Sequence, residues 1–216
     1  MINKKKKIKV CVVGDTHRQH WSIKVPKCDI FIFVGDAEID SLLALHDFND
    51  WLGNIKVKYG RIVICGNHDI ECERIGKAWC KQLFTNAIYL ENEGIEIAGL
   101  KIWGNPYTPE FMSWAYMKPR GSRDLKDIWE QVPENLDILI GHGMPYQILD
   151  WSNYEKKNVG CEVLQRVVFK KKPRYYLGGH LHEAHGKLEK EGIQFYNVSV
   201  LDGEYNLVHE PTIIEI

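Results

Sequence analysis

Five short motifs constrain this chain more than any other feature. In order they read Gly14-Asp15-Thr16-His17, Gly35-Asp36, Gly66-Asn67-His68-Asp69, Gly141-His142-Gly143 and Gly178-Gly179-His180-Leu181-His182. Each follows a short run rich in Val, Ile, Phe, Leu or Tyr. Strands of an α/β sheet deliver their carboxyl ends to one crevice. Polar residues placed there converge in space although they are scattered in sequence. A glycine beside each polar residue lets the backbone turn sharply or approach closely.

The side chains this brings together are Asp15, His17, Asp36, Asn67, His142, His180 and His182. They offer carboxylate, imidazole and amide oxygen and no thiolate. Such a set suits divalent manganese, iron or zinc, with magnesium also possible. Seven ligands are too many for one metal with an open position, and fit two metals that share a bridging carboxylate. Asp36 is the natural bridge. Two divalent ions roughly 3.5–4 Å apart clamp an in-line phosphoryl displacement. The leaving oxygen then needs a proton, and His68, beside Asn67, is the candidate donor, with an unperturbed pKa near 6.5. His20, His46, His185 and His209 lie outside the motifs and are read as surface or hydrogen-bonded core residues. Asp69 is read either as the N-cap of the helix after it or as a support for the ligands.

The elements around the motifs alternate. Ile8–Val13, Ile30–Val34 and Arg61–Cys65 are continuous apolar runs of the kind found in strands covered on both faces. Leu42, Leu45, Phe48 and Leu52 recur at helical spacing within residues 41–52, which makes a β-α-β unit. One helix is expected over residues 70–83, a second over 122–131 with Ser122 as N-cap, and a third over 159–169. Short strands are expected at 88–90, 95–98, 100–103, 137–140 and 174–177, a hairpin at 184–188 and 193–198, and a last strand at 212–216. Gly104-Asn105-Pro106-Tyr107-Thr108-Pro109 reads as a loop. After it, residues 111–116 are dense in aromatics, and the roles open to the aromatic residues of the whole loop 103–116 are two. They form either a specificity element whose rings stack on a nucleobase or a core plug or dimer contact. Within and beyond this stretch Asn105, Trp114 and Arg123, with Arg120, are the candidates for touching substrate; a turn role for Asn105 and a plain surface role for the arginines are the alternatives.

Composition narrows the functions open to the chain. Its 216 residues suit one domain with a sizeable core. A formal net charge of -1 supplies no basic field, so long duplex nucleic acid is not an expected partner. Lys4-Lys5-Lys6-Lys7 is read as a solvated lead-in to the first strand. No stretch approaches the roughly 20 apolar residues that span a bilayer, and no apolar core of signal-peptide length follows the lysines, so a cytoplasmic protein is expected. The six cysteines include no Cys-x-x-Cys pair and read as reduced thiols, not as a structural zinc site.

At these residues the chain resembles the calcineurin-like metallophosphoesterase superfamily. The ordered pattern Asp-x-His, Gly-Asp, Gly-Asn-His-Asp, Gly-His and Gly-His-x-His carries the resemblance, from Gly14 to the C-terminus. It implies an α/β fold, a sandwich of two mixed β-sheets flanked by helices with a dinuclear site at the strand ends, as a single domain over 1–216. It further implies that Asp15, His17, Asp36 and His182 hold one metal, that Asp36, Asn67, His142 and His180 hold the other, and that His68 assists the leaving group. Residues 48–54, 102–106, 111–115 and 159–161 resemble the branch of metallophosphoesterase-domain brain proteins and their microbial relatives. That branch implies phosphodiesterase activity, including on cyclic nucleotides, with a small phosphate ester as partner. Two stretches depart from it: Ala37-Glu38-Ile39-Asp40 stands where an aromatic and a threonine are usual, and Gly141-His142-Gly143-Met144-Pro145 stands for Thr-His-Gly-Pro-Pro. A phosphomonoesterase or nuclease on the same fold, or a non-catalytic scaffold, are the alternatives.

Overall fold

The structure is a computed structural model that describes residues 7–216. Lys4, Lys5 and Lys6 lie outside the described residues, whereas Lys7 pairs with Glu215 at 3.3 Å on the surface.

Alternation along the first strands sets the layering. In β1 (Lys9–Val13) Val10 and Val12 face one way and Cys11 and Val13 the other. In β2 (Ile30–Phe33) Ile30 and Ile32 oppose Phe31 and Phe33 in the same manner. Side chains of period two on a strand buried on both faces require cover on both faces. β3 (Gly60–Val63) and β4 (Ile88–Tyr89) continue this sheet in parallel. β15 (Thr212–Glu215) closes its other edge antiparallel to β1, giving the order β15-β1-β2-β3-β4.

The second sheet runs β13 (Gly186–Lys190), β14 (Ile193–Asn197), β12 (Tyr175–Gly178), β9 (Ile138–Gly141), β6 (Leu100–Asn105), β5 (Glu93–Ile97). Its four inner strands are parallel and its two edge strands antiparallel. Two short pairs stand apart: β7 (Thr108–Pro109) with β8 (Met117–Lys118), and β10 (Trp151–Ser152) with β11 (Lys157–Asn158).

Between the sheets, Val10, Val12, Ile30, Ile32 and Ile62 meet Ile102, Ile138, Ile140 and Leu177 in one apolar core. Outside the first sheet, Phe31 and Phe33 pack on Leu45, Phe48 and Trp51 of α1 (Leu42–Asn54), beside α2 (Ile70–Ile75) and α3 (Lys77–Leu83). Outside the second, Leu139, Tyr176 and Phe195 pack on Leu125 and Trp129 of α4 (Arg123–Glu130) and on Leu164 and Val168 of α5 (Glu162–Lys171). The layers are therefore helix, sheet, sheet, helix, the sandwich of mixed sheets that the sequence implied.

Three elements differ from expectation. The helix expected over 70–83 is two helices, because Gly76 at φ 82° and ψ 162° adopts a conformation essentially restricted to glycine and breaks the ladder. The helix expected from residue 159 starts at Glu162, because Cys161 keeps an extended backbone at φ -89° and ψ 117°, bridged to Pro145, and so becomes the N-cap. The loop expected from Gly104 is still strand there, because Gly104 and Asn105 pair with Ile140 and Gly141 of β9. Ser122 caps α4 as expected, accepting Leu125 N–H at 3.2 Å. No helix among the described residues is long and apolar enough to cross a membrane.

Candidate metal centre

All seven candidate ligands stand just beyond strand ends. Asp15 and His17 follow β1, Asp36 follows β2, Asn67 follows β3, His142 follows β9, and His180 and His182 follow β12. Four of them are in the left-handed backbone region: Asp15 at φ 55°, His17 at 38°, Asp36 at 60° and His180 at 70°. Non-glycine residues rarely settle there, and such conformations concentrate at functional sites. Cross-loop bonds hold them, with Asp15 N–H on Gly35 O at 2.9 Å and His17 N–H on Asp36 O at 3.1 Å. Gly35 is required at φ 105°, where a Cβ would stand 2.6 Å from His142 Nδ1. At Gly66 a Cβ would collide with Asp36 Oδ1.

The candidate ligands form two adjacent groups. Asp15, His17 and His182 are one, and Asp36, His142 and His180 the other, with the ligating atoms of each group within 4.8 Å of one another. In the first, His17 Nε2 lies 3.2 Å from His182 Nε2, which lies 3.7 Å from Asp15 Oδ1. In the second, His142 Nε2 lies 2.9 Å from Asn67 Oδ1 and 3.3 Å from Asp36 Oδ2. Asp36 Oδ2 is also 3.8 Å from His17 Nε2, so this one oxygen stands between the groups.

The supporting bonds fix what each group presents. A backbone carbonyl only accepts, so Val34 O at 3.0 Å keeps a proton on His142 Nδ1, and Asp202 O at 3.1 Å does the same for His182 Nδ1. Both imidazoles, when neutral, therefore aim the Nε2 lone pair inward, the arrangement that orients metal-ligating histidines. Asp15 accepts Ser199 Oγ–H at 2.6 Å and His180 N–H at 2.9 Å, and Asp36 accepts His68 N–H at 2.8 Å. Burial pushes Asp15 above the usual carboxylate range and drives His17 and His180 down to about 3, so both imidazoles are neutral bases at ordinary pH. Burial alone would raise Asp36, but the charge and hydrogen bond of His142, together with His17 and His68, outweigh it and hold the carboxyl low. Burial likewise pulls on His142, and Asp36 lifts it the other way, to about 9. Lone pairs facing lone pairs, around two buried carboxylates, are what a divalent cation satisfies, so the donor set fits metal.

His68 and Trp114 meet beside this cluster, rings stacked at 4.2 Å and 30°, with the His68 ring 4.8 Å from that of His17. Both line a cleft of about 1010 Å³ that opens from the ligands and runs past Phe111, Met112 and Tyr154. Asn105 is not in that cleft. It is fully buried at the end of β6, where its Oδ1 accepts Tyr107 N–H at 2.9 Å and its Nδ2 bonds Asn92, so its side chain anchors the turn that follows. Arg123 is not there either. Its side chain is 91% exposed on the first turn of α4, 3.6 Å from Asp127. Arg120 does reach the cleft wall, held on Gly160 O, Val159 O and Glu162. Asp69 ties the loops instead of capping α2: it accepts N–H from Asp36 at 3.0 Å, Gly66 at 2.7 Å and Ile39 at 3.1 Å. His20 bonds Asp47, His185 bonds Ser199 O and stacks on His209, and His46 is exposed, all away from the two groups. All six cysteines are free and buried.

Four site residues were not singled out by sequence as ligand supports. Ser199 and Asp202 buttress Asp15 and His182. Tyr205 sets its ring 4.8 Å from His17 and 4.9 Å from His182. Glu38 lies 3.6 Å from His17 Nδ1, within ion-pair reach of a buried atom that has no hydrogen-bond partner among the described residues. Asp202 acts through its carbonyl, which no side-chain motif can announce. Glu38 did have a signal, since it is part of the departure that follows Asp36.

The fold and these ligands define a metal-dependent phosphoesterase. The sequence model of the calcineurin-like phosphoesterase family matches residues 8–184, and the chain belongs to that family. It is 34% identical to Metallophosphoesterase domain-containing protein 1 of Homo sapiens, over 96% of this chain and 70% of that protein. A UPF0046 protein of Caenorhabditis elegans is 32% identical, over 96% of this chain and 59% of its own length. Among solved structures, a phosphopantetheinyl hydrolase from Mycobacterium tuberculosis superposes with TM-score 0.61 at 15% identity, over 92% of this chain and 91% of that one. GAP50 of Plasmodium, described as the anchor in the inner membrane complex, superposes with TM-score 0.53 at 12% identity, over 98% and 78%. These two likenesses are of fold alone.

Proposed function

We propose that the protein is a phosphodiesterase that hydrolyses a small nucleotide, cyclic nucleotides included, or a related phosphate ester, using two divalent cations, manganese foremost. Asp15, His17, Asp36 and His182 hold one cation, and Asp36, Asn67, His142 and His180 the other. The observation that carries this reading is the position of Asp36 Oδ2, 3.8 Å from His17 Nε2 and 3.3 Å from His142 Nε2, where it can serve both groups. Bound there, the pair would supply Lewis acidity to activate water and offset charge on phosphoryl oxygens. His68 gives its ring proton to the departing oxygen, the general-acid role that a histidine beside the reacting atoms commonly takes. The face of Trp114 holds the His68 ring in place and extends an aromatic floor on which a base stacks. The catalytic residue is His68, and Trp114 contacts substrate.

Metal analysis of the purified, manganese-treated protein should return about two ions per chain, with bis-p-nitrophenyl phosphate cleaved faster than p-nitrophenyl phosphate. Protein that retains no transition metal, and gains no activity from added manganese, would overturn the reading. A monoester cut faster than the diester would move it to a phosphomonoesterase.

A further inference from the structure

The cleft is far larger than one phosphate, and its outer walls decide what else the substrate carries. Among the described residues, two permanent cations line it, Arg120 and Lys157. Both are already engaged. Arg120 gives Nη1 to Gly160 O at 2.8 Å and to Glu162 at 2.7 Å, and Nη2 to Val159 O at 2.6 Å. Lys157 Nζ stands 3.0 Å from Glu155. Two further carboxylates line the same cleft with no cation in salt-bridge reach among the described residues. Glu110 is exposed, and Glu183 accepts Asn153 N–H at 2.8 Å. Between them the walls are apolar and open to solvent: Phe111 is 45% exposed, Met112 66% and Tyr154 84%.

From this geometry we infer that the site selects phosphodiesters that carry one phosphate on an otherwise neutral or cationic organic body, and rejects those bearing a second phosphate. The inference rests on the phosphodiesterase reading for its chemistry. One phosphate is met by the ligand groups at the floor of the cleft. A second finds no free guanidinium or ammonium among the described residues that line the cleft, and every carboxylate it passes repels it. A flat heterocycle or an ammonium group is instead accepted, because aromatic faces attract cations and stack on rings, and the carboxylates attract amino donors.

A matched pair of esters tests this: thymidine 5′-monophosphate p-nitrophenyl ester, and the same ester bearing a 3′-phosphate. With manganese-loaded protein, kcat/KM should fall at least about tenfold on adding the 3′-phosphate. The ratio should narrow in 0.5 M salt, where the screening length is only a few ångströms, roughly 4 Å. Glu110→Lys and Glu155→Gln, the second of which releases Lys157, should each narrow the ratio at low salt. Calorimetric titration of both esters into manganese-loaded His68→Ala protein should show the same order of affinity without relying on turnover. Equal or better use of the 3′-phosphorylated ester, or a ratio unmoved by salt and by both variants, would overturn the inference while leaving phosphodiesterase action standing. Failure of the wild type to cleave either ester or bis-p-nitrophenyl phosphate would instead overturn the phosphodiesterase reading, and the calorimetry would still decide the preference for charge.

Discussion

At the scale of the residue, two side chains carry separable expectations. His68 lies beside the ligands without being one of the two groups, so His68→Ala should leave the metal content unchanged while turnover of a diester with a poor leaving group falls by about 10²–10⁴-fold. Equal turnover would remove it as proton donor. Among the described residues, the carboxylate in ion-pair reach of His17 Nδ1 is that of Glu38, at 3.6 Å, whereas His142 and His182 have carbonyls on theirs. A carboxylate behind a ligating imidazole fixes its tautomer and raises its basicity, and losing such a partner typically costs 10–100-fold in metal affinity. Glu38→Ala should therefore weaken manganese binding by about tenfold or more, as read by competition with a fluorescent chelator. Glu38→Gln, which still accepts a bond, should recover part of the loss. If Glu38→Ala binds manganese as tightly as wild type, Glu38 has no such role.

At the scale of the element, the motifs and their strands were legible because both signals are local. An apolar run of strand length followed by glycine and a polar residue says where a strand ends and what it presents. The elements that differ do so for reasons a linear pattern does not carry. Ile75, Trp79 and Leu83 keep helical spacing across Gly76, so periodicity alone joins two helices that the backbone separates. Gly76→Ala tests that reading: at φ 82° and ψ 162° it should cost about 1–3 kcal/mol in denaturant unfolding. No cost would mean that the break has another cause. The linear pattern carries residues 159–161 into α5 because nothing local shows that Cys161 is bridged, extended, to Pro145. Asn105 and Arg123 carried side chains suited to phosphate, but whether a suitable side chain faces the cleft depends on packing. Asn105 is spent anchoring a turn and Arg123 points from a helix on the outer face of the sandwich.

At the scale of the whole molecule, the two ligand groups draw on both sheets, since β1, β2 and β3 belong to one and β9 and β12 to the other. Cations bound across that seam should fasten the sheets together, and a ligand that binds only the folded state stabilises it by mass action. Chelation should thus lower Tm. The difference between loaded and stripped protein should also grow as the pH rises toward 9. His142, which Asp36 lifts to about 9, must surrender its Nε2 proton to bind, so the proton competes with the metal below that pH, and the competition fades as the pH approaches it. A chelated protein with unchanged Tm, or a difference that shrinks with rising pH, would contradict this. The buttresses of the centre lie late in the chain: Ser199 bonds Asp15, and the Asp202 carbonyl bonds His182, across separations of 184 and 20 residues. During synthesis the early aspartates and histidine emerge long before the histidines and supports that complete their surroundings. A cation held at this centre would consequently enter late in the birth of the molecule, into a cradle whose final walls have only just arrived.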